Sequence, residues 1–334
     1  SILHLAFGNV DSGVMNNAET FFLVSALSYP FIALYNSGAA LFRAIGNSKI
    51  SMITSAIMNV INIIFNTIFI FGLKLGVLGS GLATLIARMV CCIVILKCLT
   101  NKDNNLYVDD YRHWKFDLVY IKKILTIGIP SGLENGMFQF GKILVQSLVA
   151  TFGTYAIAAN AVSNNLAQMQ IIPGMAMSLA MVTVVGQCVG ANDYKQAKHY
   201  IKKLLKITYL ATISAVILVL LATPTILKLY SLSEQTIDLA YQCIFLHGFF
   251  AATIWPASFT FPNALRASND AKFTMIVSAT SMWIFRFCFS YIIGRYMGYG
   301  LLGVWIAMFI DWIVRSIFFI WRYHSGKWMN KQLV

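Results

Sequence analysis

Charge is scarce in this 334-residue chain. Asp, Glu, Lys and Arg together make up 11% of it, against 58% apolar and 14% aromatic residues. A soluble globule carries roughly 25% charged side chains because its surface faces water, so most of this surface faces lipid. Catalytic signatures are missing too. There is no P-loop, HExxH, GxSxG or Gly-rich dinucleotide turn after a strand, and no His/Asp or Ser/His set at one depth, as a polytopic membrane enzyme would need. The six cysteines show no CxxC spacing, since Cys91 and Cys92 are adjacent; they read as small apolar packing residues rather than metal ligands. No catalytic residue, metal site or cofactor is expected. The chain opens on Ser, without a short apolar region and cleavage site, so its start reads as a cut rather than a signal peptide.

What is present in abundance is apolar length. A span needs about 20 mainly apolar residues, and lipid admits only helices or closed barrels. The runs are continuous rather than alternating, which selects helices. The fold class is therefore an all-α membrane protein, a polytopic bundle of about nine transmembrane helices. They are expected near 17–45, 48–73, 77–100, 121–151, 154–189, 199–224, 235–266, 271–297 and 300–322. Pro30, Pro173 and Pro256 fall inside them and are kink candidates. Residues 101–120 form the one long polar connection.

The basic residues are distributed with a strong bias. Taken alternately, one set of connections carries 18 Lys or Arg and the other only Lys74, Lys228 and Arg295. By the positive-inside rule the 101–120 connection, the 190–206 loop and the C-terminus are cytoplasmic, and residues 8–16 and 225–234 are external. The net charge of +13 is then a topological signal, and no nucleic-acid partner is expected.

The sequence also repeats. FRAIGNSKISMITSA (42–56) matches LRASNDAKFTMIVSA (265–279) at an offset of 223. GVLGSGLA (76–83) matches GLLGVWIA (300–307) and SILHL (1–5) matches TILKL (225–229), both at 224, while Pro30 pairs with Pro256. The second unit holds six helices, and the offset leaves the first with its last three. The expected parent is a 6+6 parallel-repeat transporter of roughly 430 to 450 residues, with sites at depth. Residues 1–100 would be the truncated N-terminal lobe, 101–120 the inter-lobe connection and 121–334 the complete C-terminal lobe.

Several segments resemble the multidrug and toxic compound extrusion (MATE) transporters, nearest the bacterial DNA-damage-inducible branch. They are SALSYPFIALYNSGAALFRAIGNSK (25–49), GIPSGLENGMFQFGK (128–142), AIAANAVSNNL (156–166), IPGMAMSLAMVTVVGQCVGAND (172–193) and FPNALRASND (261–270). The resemblance implies two six-helix lobes related by a pseudo-two-fold along the membrane normal. It further implies export of drugs or other cationic or amphipathic small molecules, from a central cleft and across the plasma membrane, in exchange for H⁺ or Na⁺. Such a protein is expected to be a monomer surrounded by lipid. A lipid or lipid-linked-sugar flippase of the same superfamily is the alternative.

Coupling to an ion gradient needs a group that changes charge where water is scarce, and ionisable groups at depth are functional suspects. Glu134 lies eleven residues past Lys123, about 17 Å along a helix, among Gly128, Pro130, Gly132 and Gly136. It is the ion-coupling candidate, or else a structural carboxylate bonded to a neighbouring helix. Lys142 stands two turns on, with Asn135 and Gln139; it could repel a cation, bind an acidic or phosphate-bearing substrate, or snorkel outward. Asn160, Asn164 and Gln168 recur every four residues and so share one face, where they either join helices or line the cleft beside Glu134. The nearby Met169, Met175, Met177 and Met181 suit a surface that accepts varied ligands. Asp311 and Arg315 stand at i and i+4 in the acid-first order of a structural ion pair. Arg88 and Arg286 are expected to pair across helices or bond to carbonyls.

The charge bias generates one test. Membrane-impermeant thiol labelling of intact cells is expected to reach a cysteine placed at position 231 and not one at position 200. The reverse pattern overturns the orientation.

Overall fold

The structure, a computed structural model, describes residues 12–102, 104, 107, 108, 117–230 and 232–330. The repeat match at 1–5, most of the 101–120 connection and position 231 lie outside these residues. The chain divides into two compact units, Ser1–Lys115 and Phe116–Val334.

The first unit comprises α1 (Ser12–Leu27), α2 (Tyr29–Ala44), α3 (Ser48–Asn66, continued by a π-helical stretch Thr67–Gly72) and α4 (Gly76–Leu99). α1 and α2 form one span bent by 43°. The bend follows from Pro30, which lacks an N–H and occupies the first turn of α2, where none is needed. Ser28, fully buried at the bend, donates to the Ser25 carbonyl and accepts from Arg88 Nη1 at 2.5 Å. Arg88 therefore holds the break of α1–α2 from α4. Tyr35, Phe42, Cys91 and Ile95 form the core of this unit.

The second unit comprises α5 (Leu118–Ala150), α6 (Thr154–Gly190), α7 (Tyr194–Leu229), α8 (Glu234–Thr253), α9 (Pro262–Ala267), α10 (Ala271–Ser281) and α11 (Gly300–His324). A π-helical stretch, Pro256–Thr260, precedes α9, and two more, Met282–Cys288 and Ser290–Tyr296, extend α10. α8 and the segment from Pro256 to Ala267 form a second bent span, of 60°. Its core joins Leu148, Leu166, Ile244, Trp255, Trp305, Phe309 and Trp312. Away from the core, Leu210, Leu218 and Leu221 of α7 are 68%, 68% and 74% exposed; as large apolar side chains on a long apolar helix they form its lipid face. A second cluster packs Met181, Phe261, Leu265, Phe319 and Trp328.

Six helices and two bent pairs have the length and hydropathy of membrane spans among the described residues. α5 has the length but not the hydropathy, because Glu134, Asn135, Gln139 and Lys142 interrupt its apolar character. The fold is the expected all-α bundle. Three helix starts differ from expectation, that of α1 at Ser12 rather than 17 and two that carry caps. α7 begins at Tyr194 rather than 199 because the Asp193 side chain accepts from Gln196 N at 2.9 Å, and α5 begins at Leu118 because Asp117 accepts from Val119 N at 2.9 Å. Both are N-caps. The segment read as a 190–206 loop is thus mostly helix. Pro173 lies inside α6, which continues through it as one helix.

The repeat read from the letters returns in the backbone. Gly46 and Asn269, 223 apart, both have positive φ, as do Gly76 and Gly300, 224 apart and each at 54°. Asn47 N donates to Phe42 O, and Asp270 N to Leu265 O. Leu75 N donates to Phe69 O, and Tyr299 N to Ile293 O. Each unit therefore contains a bent span, a tight turn, and a helix that widens into π geometry before the next turn.

Gly303 of α11 approaches the Ser290–Tyr296 stretch so closely that an added Cβ would stand 2.7 Å from Gly294 Cα and N. Its repeat counterpart, Gly79, would place one 2.9 Å from Phe69 Cβ. Gly303→Ala is expected to cost about 1–3 kcal/mol, as overpacking does, and to lower the melting temperature in detergent. Gly128→Ala, where nothing lies within 4 Å, is expected not to lower it. Equal melting temperatures for both variants would refute the close packing.

Candidate functional site

Four charged side chains meet where α5, α9 and α11 come together. Glu134 is 7% exposed, and its Oε1 accepts from Arg266 Nη2 at 2.5 Å. Arg315 Nη2 lies 4.0 Å from the same oxygen and donates to Ser278 Oγ at 3.0 Å. Asp311, fully buried, is 3.9 Å from Arg315 Nη1 and accepts from Ser281 Oγ at 2.5 Å. The expected Asp311–Arg315 proximity is present, but at that distance it is charge attraction without a hydrogen bond. Arg315 joins it to Glu134. Glu134 Oε2, Asp311 Oδ2 and Arg315 Nη1 have no hydrogen-bond partner among the described residues. Each carboxylate thus has one oxygen engaged and one at liberty.

Beside this cluster lies a cavity of about 550 Å³, lined by Gln139, Lys142, Gln146, Asn160, Asn164, Arg286, Trp305 and Met308 among others. A second, of about 490 Å³, shares Gln139, Lys142, Asn164, Arg286, Trp305 and Met308 with it, and adds Phe138, Gln168, Met175, His247, Trp255, Phe259 and Trp312. The two adjoin through these shared residues, and each is of a size that suits a small organic molecule. Its amides are fixed. Asn160 Nδ2 donates to Gln146 Oε1 at 2.8 Å, and Asn160 Oδ1 accepts from Trp305 Nε1 at 3.1 Å. Asn164 Nδ2 donates to the Asn160 carbonyl at 2.8 Å. His247, mid-way along α8, is bonded to Gln170 at 2.5 Å and meets Trp305 and Trp312 edge to face.

Phe138 gathers the cations. Lys142 Nζ, Arg286 and Arg315 lie 5.0, 5.4 and 5.8 Å from its ring centre. Each such contact contributes about 0.5–2 kcal/mol but leaves the charge in place. Among the described residues neither Lys142 nor Arg286 has a carboxylate within 4.0 Å.

A helical bundle with charges and amides turned inward at depth has the form of a transport site, and the sequence itself decides the family. The family model MatE matches residues 2–68 and 130–292. The chain belongs to the MatE family. It is 28% identical to the "Uncharacterized transporter YisQ" of Bacillus subtilis over 99% of its own length and 72% of that protein. It is 23% identical to the "Probable multidrug resistance protein NorM" of Thermotoga maritima, over 98% of its own length and 71% of that one. The fold matches the outward-facing structure of a multidrug resistance MATE family transporter with a TM-score of 0.87 at 22% identity, covering 97% of this chain and 72% of the other. The chain is thus a multi-pass membrane protein, and not an enzyme.

Within this MatE chain, the structure brings five of the six expected cleft residues to the two cavities: Gln139, Lys142 and Asn164 to both, Asn160 to the first and Gln168 to the second. Asn135 is the exception. It stands one turn before Gln139 on α5 but lines neither cavity; it is exposed and donates to the Ser131 carbonyl at 2.9 Å. Glu134 is interior as expected, but its contacts are guanidiniums rather than the amides of α6, which bond to Gln146, Trp305 and their own backbone. Met175 lines the cavity while Met181 is core. Sequence reasoning missed Arg266 as Glu134's partner. It also missed His247 and the indoles of Trp305 and Trp312. Arg266 carried one signal, its place at the repeat position of Arg43, which donates to Ser51 Oγ at 2.8 Å.

Removing one member of a buried pair strands the other charge, at about 3–5 kcal/mol; Arg266 keeps 24% exposure, which puts Arg266→Met near the low end. Thermal unfolding in detergent is expected to show that loss, and Glu134→Gln added to Arg266→Met to recover part of it. Additive losses in the double variant would show that the two do not interact.

Proposed function

We propose that the protein is a cation-coupled antiporter, driven by H⁺ or Na⁺, that exports small amphipathic molecules across the plasma membrane. The observation that carries this reading is Glu134, a buried carboxylate with one oxygen on Arg266 and the other without a partner. A proton or Na⁺ arriving at the free oxygen competes with Arg266 for the same negative charge. Arg266 stands on α9, beyond the 60° bend at Pro256. Loosening its hold on α5 therefore gives ion binding a lever on a broken helix, which is how transporters couple ion and cargo sites. Relatives named for multidrug resistance support the cargo class, which the family resemblance takes to be cationic or amphipathic.

The remaining parts of the proposal follow from the sequence. Residues 1–100 form the end of one lobe, 101–120 a cytoplasmic connection and 121–334 the second lobe. The C-terminus is cytoplasmic, on the 18-to-3 bias of basic residues, and the protein works as a monomer in lipid.

The test is efflux from an exporter-deficient bacterial host expressing the complete gene, followed with fluorescent amphipaths of cationic, zwitterionic and anionic charge. Glu134→Gln is expected to reduce gradient-driven efflux at least tenfold at unchanged membrane yield. Proton coupling appears as a pH dependence that this substitution flattens, sodium coupling as a lost Na⁺ stimulation. Undiminished efflux by Glu134→Gln would reduce Glu134 to a structural contact.

A further inference from the structure

We infer that the cavity of the second unit receives an acidic group of the cargo, a carboxylate, sulfonate or phosphate carried on an aromatic or apolar body. The cargo is then an organic anion or zwitterion rather than a simple cation. This rests on the transport reading above and narrows it.

The argument begins with a count of charges. Around the cavity stand Lys142, Arg286, Arg315 and Arg266, against Glu134 and Asp311. Both acids have nearer partners: Glu134 bonds Arg266 and Asp311 bonds Ser281, with Arg315 within 4.0 Å of each. That leaves Lys142 and Arg286, which both line the cavity and have no carboxylate within 4.0 Å among the described residues. Both lie over the face of Phe138, which they share with Arg315. A ring face attracts cations without neutralising them, so Lys142 and Arg286, which share that ring, repel one another until an anion arrives. Coulomb attraction in a water-poor site is far stronger than in bulk water, and here it is directed at a ligand.

The surrounding polar groups agree with an acceptor-rich guest. Gln146 spends its carbonyl oxygen on Asn160, which leaves its NH₂ to donate. The Asn160 oxygen is itself taken by Trp305, so it is not offered to a cation. The apolar part of the lining is Trp305, Trp312, Phe259 and Met308. A guest with an acidic head and an aromatic body satisfies both parts of the lining; a quaternary or protonated amine would meet Lys142 and Arg286 head on.

The test is equilibrium binding to the purified full chain in neutral detergent, with no gradient applied. Two probes of matched size are used, 2-naphthalenesulfonate and 2-naphthyltrimethylammonium, read by quenching of tryptophan fluorescence. The sulfonate is expected to bind at least tenfold more tightly, about 1.4 kcal/mol, and less tightly as salt rises. Lys142→Gln combined with Arg286→Gln is expected to abolish that preference, whereas Lys142→Arg with Arg286→Lys keeps it. The conservative pair guards against misfolding, since both doubles must retain a monodisperse elution profile and a cooperative melt. Competition by phosphatidylglycerol but not phosphatidylcholine would identify a lipid headgroup as a natural source of the acid, and competition by neither a soluble compound; both outcomes keep the anion preference. Equal affinities, tighter binding of the ammonium probe, or a preference that survives loss of both cations overturns the proposal. An anion preference in a protein that exports nothing would strike the transport reading alone.

Discussion

A carboxylate in the interior of a lipid-embedded bundle has to be answered by a cation or a proton, and the arrangement of the second unit follows from how Glu134 is answered. Arg266 reaches it from α9, Arg315 from α11, and Ser278 and Ser281 of α10 hold Arg315 and Asp311 in turn. Four helices are thereby tied through one small group of charges. Burying such a group is costly, and its Coulomb attraction roughly offsets the cost only when the geometry is good. A hydrophobic quartet of the same volume would hold these helices at least as well. Retaining charge here makes sense for a site that has to change its state.

The same economy explains the cavity. Amides placed at Asn160, Asn164 and Gln146 would be a liability in lipid, yet each lines the cavity and Asn160 is satisfied at both its donor and its acceptor by Gln146 and Trp305. The wall is therefore polar without being soft. Rigid amides, two indoles and a methionine give one face that holds its shape and another that adapts, a combination suited to more than one guest.

Much of this was legible in the letters, and the parts that were not share a physical reason. Span lengths, the breaks at Pro30 and Pro256, and the repeat offset are local properties, visible wherever 20 apolar residues or a missing N–H occur. The starts of α5 and α7 were misjudged because Asp117 and Asp193 cap helices whose first turns are polar, outside any apolar run. Pro173 looked like Pro30 in sequence, but it sits within α6 rather than in a first turn. Glu134 was identifiable by its depth. Its partner was not, because Arg266 is 132 residues away in the chain, and a face shared by three amides pointed to a nearer neighbour. Periodicity reports which residues share a face; it is silent on what that face meets.

The contact between Gly303 and Gly294 has a mechanical meaning. Where two backbones touch with no side chains between them, there is no layer to shear and no rotamer to exchange. The Ser290–Tyr296 stretch and the first turns of α11 are in effect welded, and Gly79 repeats the weld against Phe69 in the first unit. Any alternation of access in this protein has to be taken up elsewhere. The sharpest break in the second unit is the 60° bend between α8 and the segment from Pro256 to Ala267, which carries Arg266 and, in Phe259, part of the cavity wall.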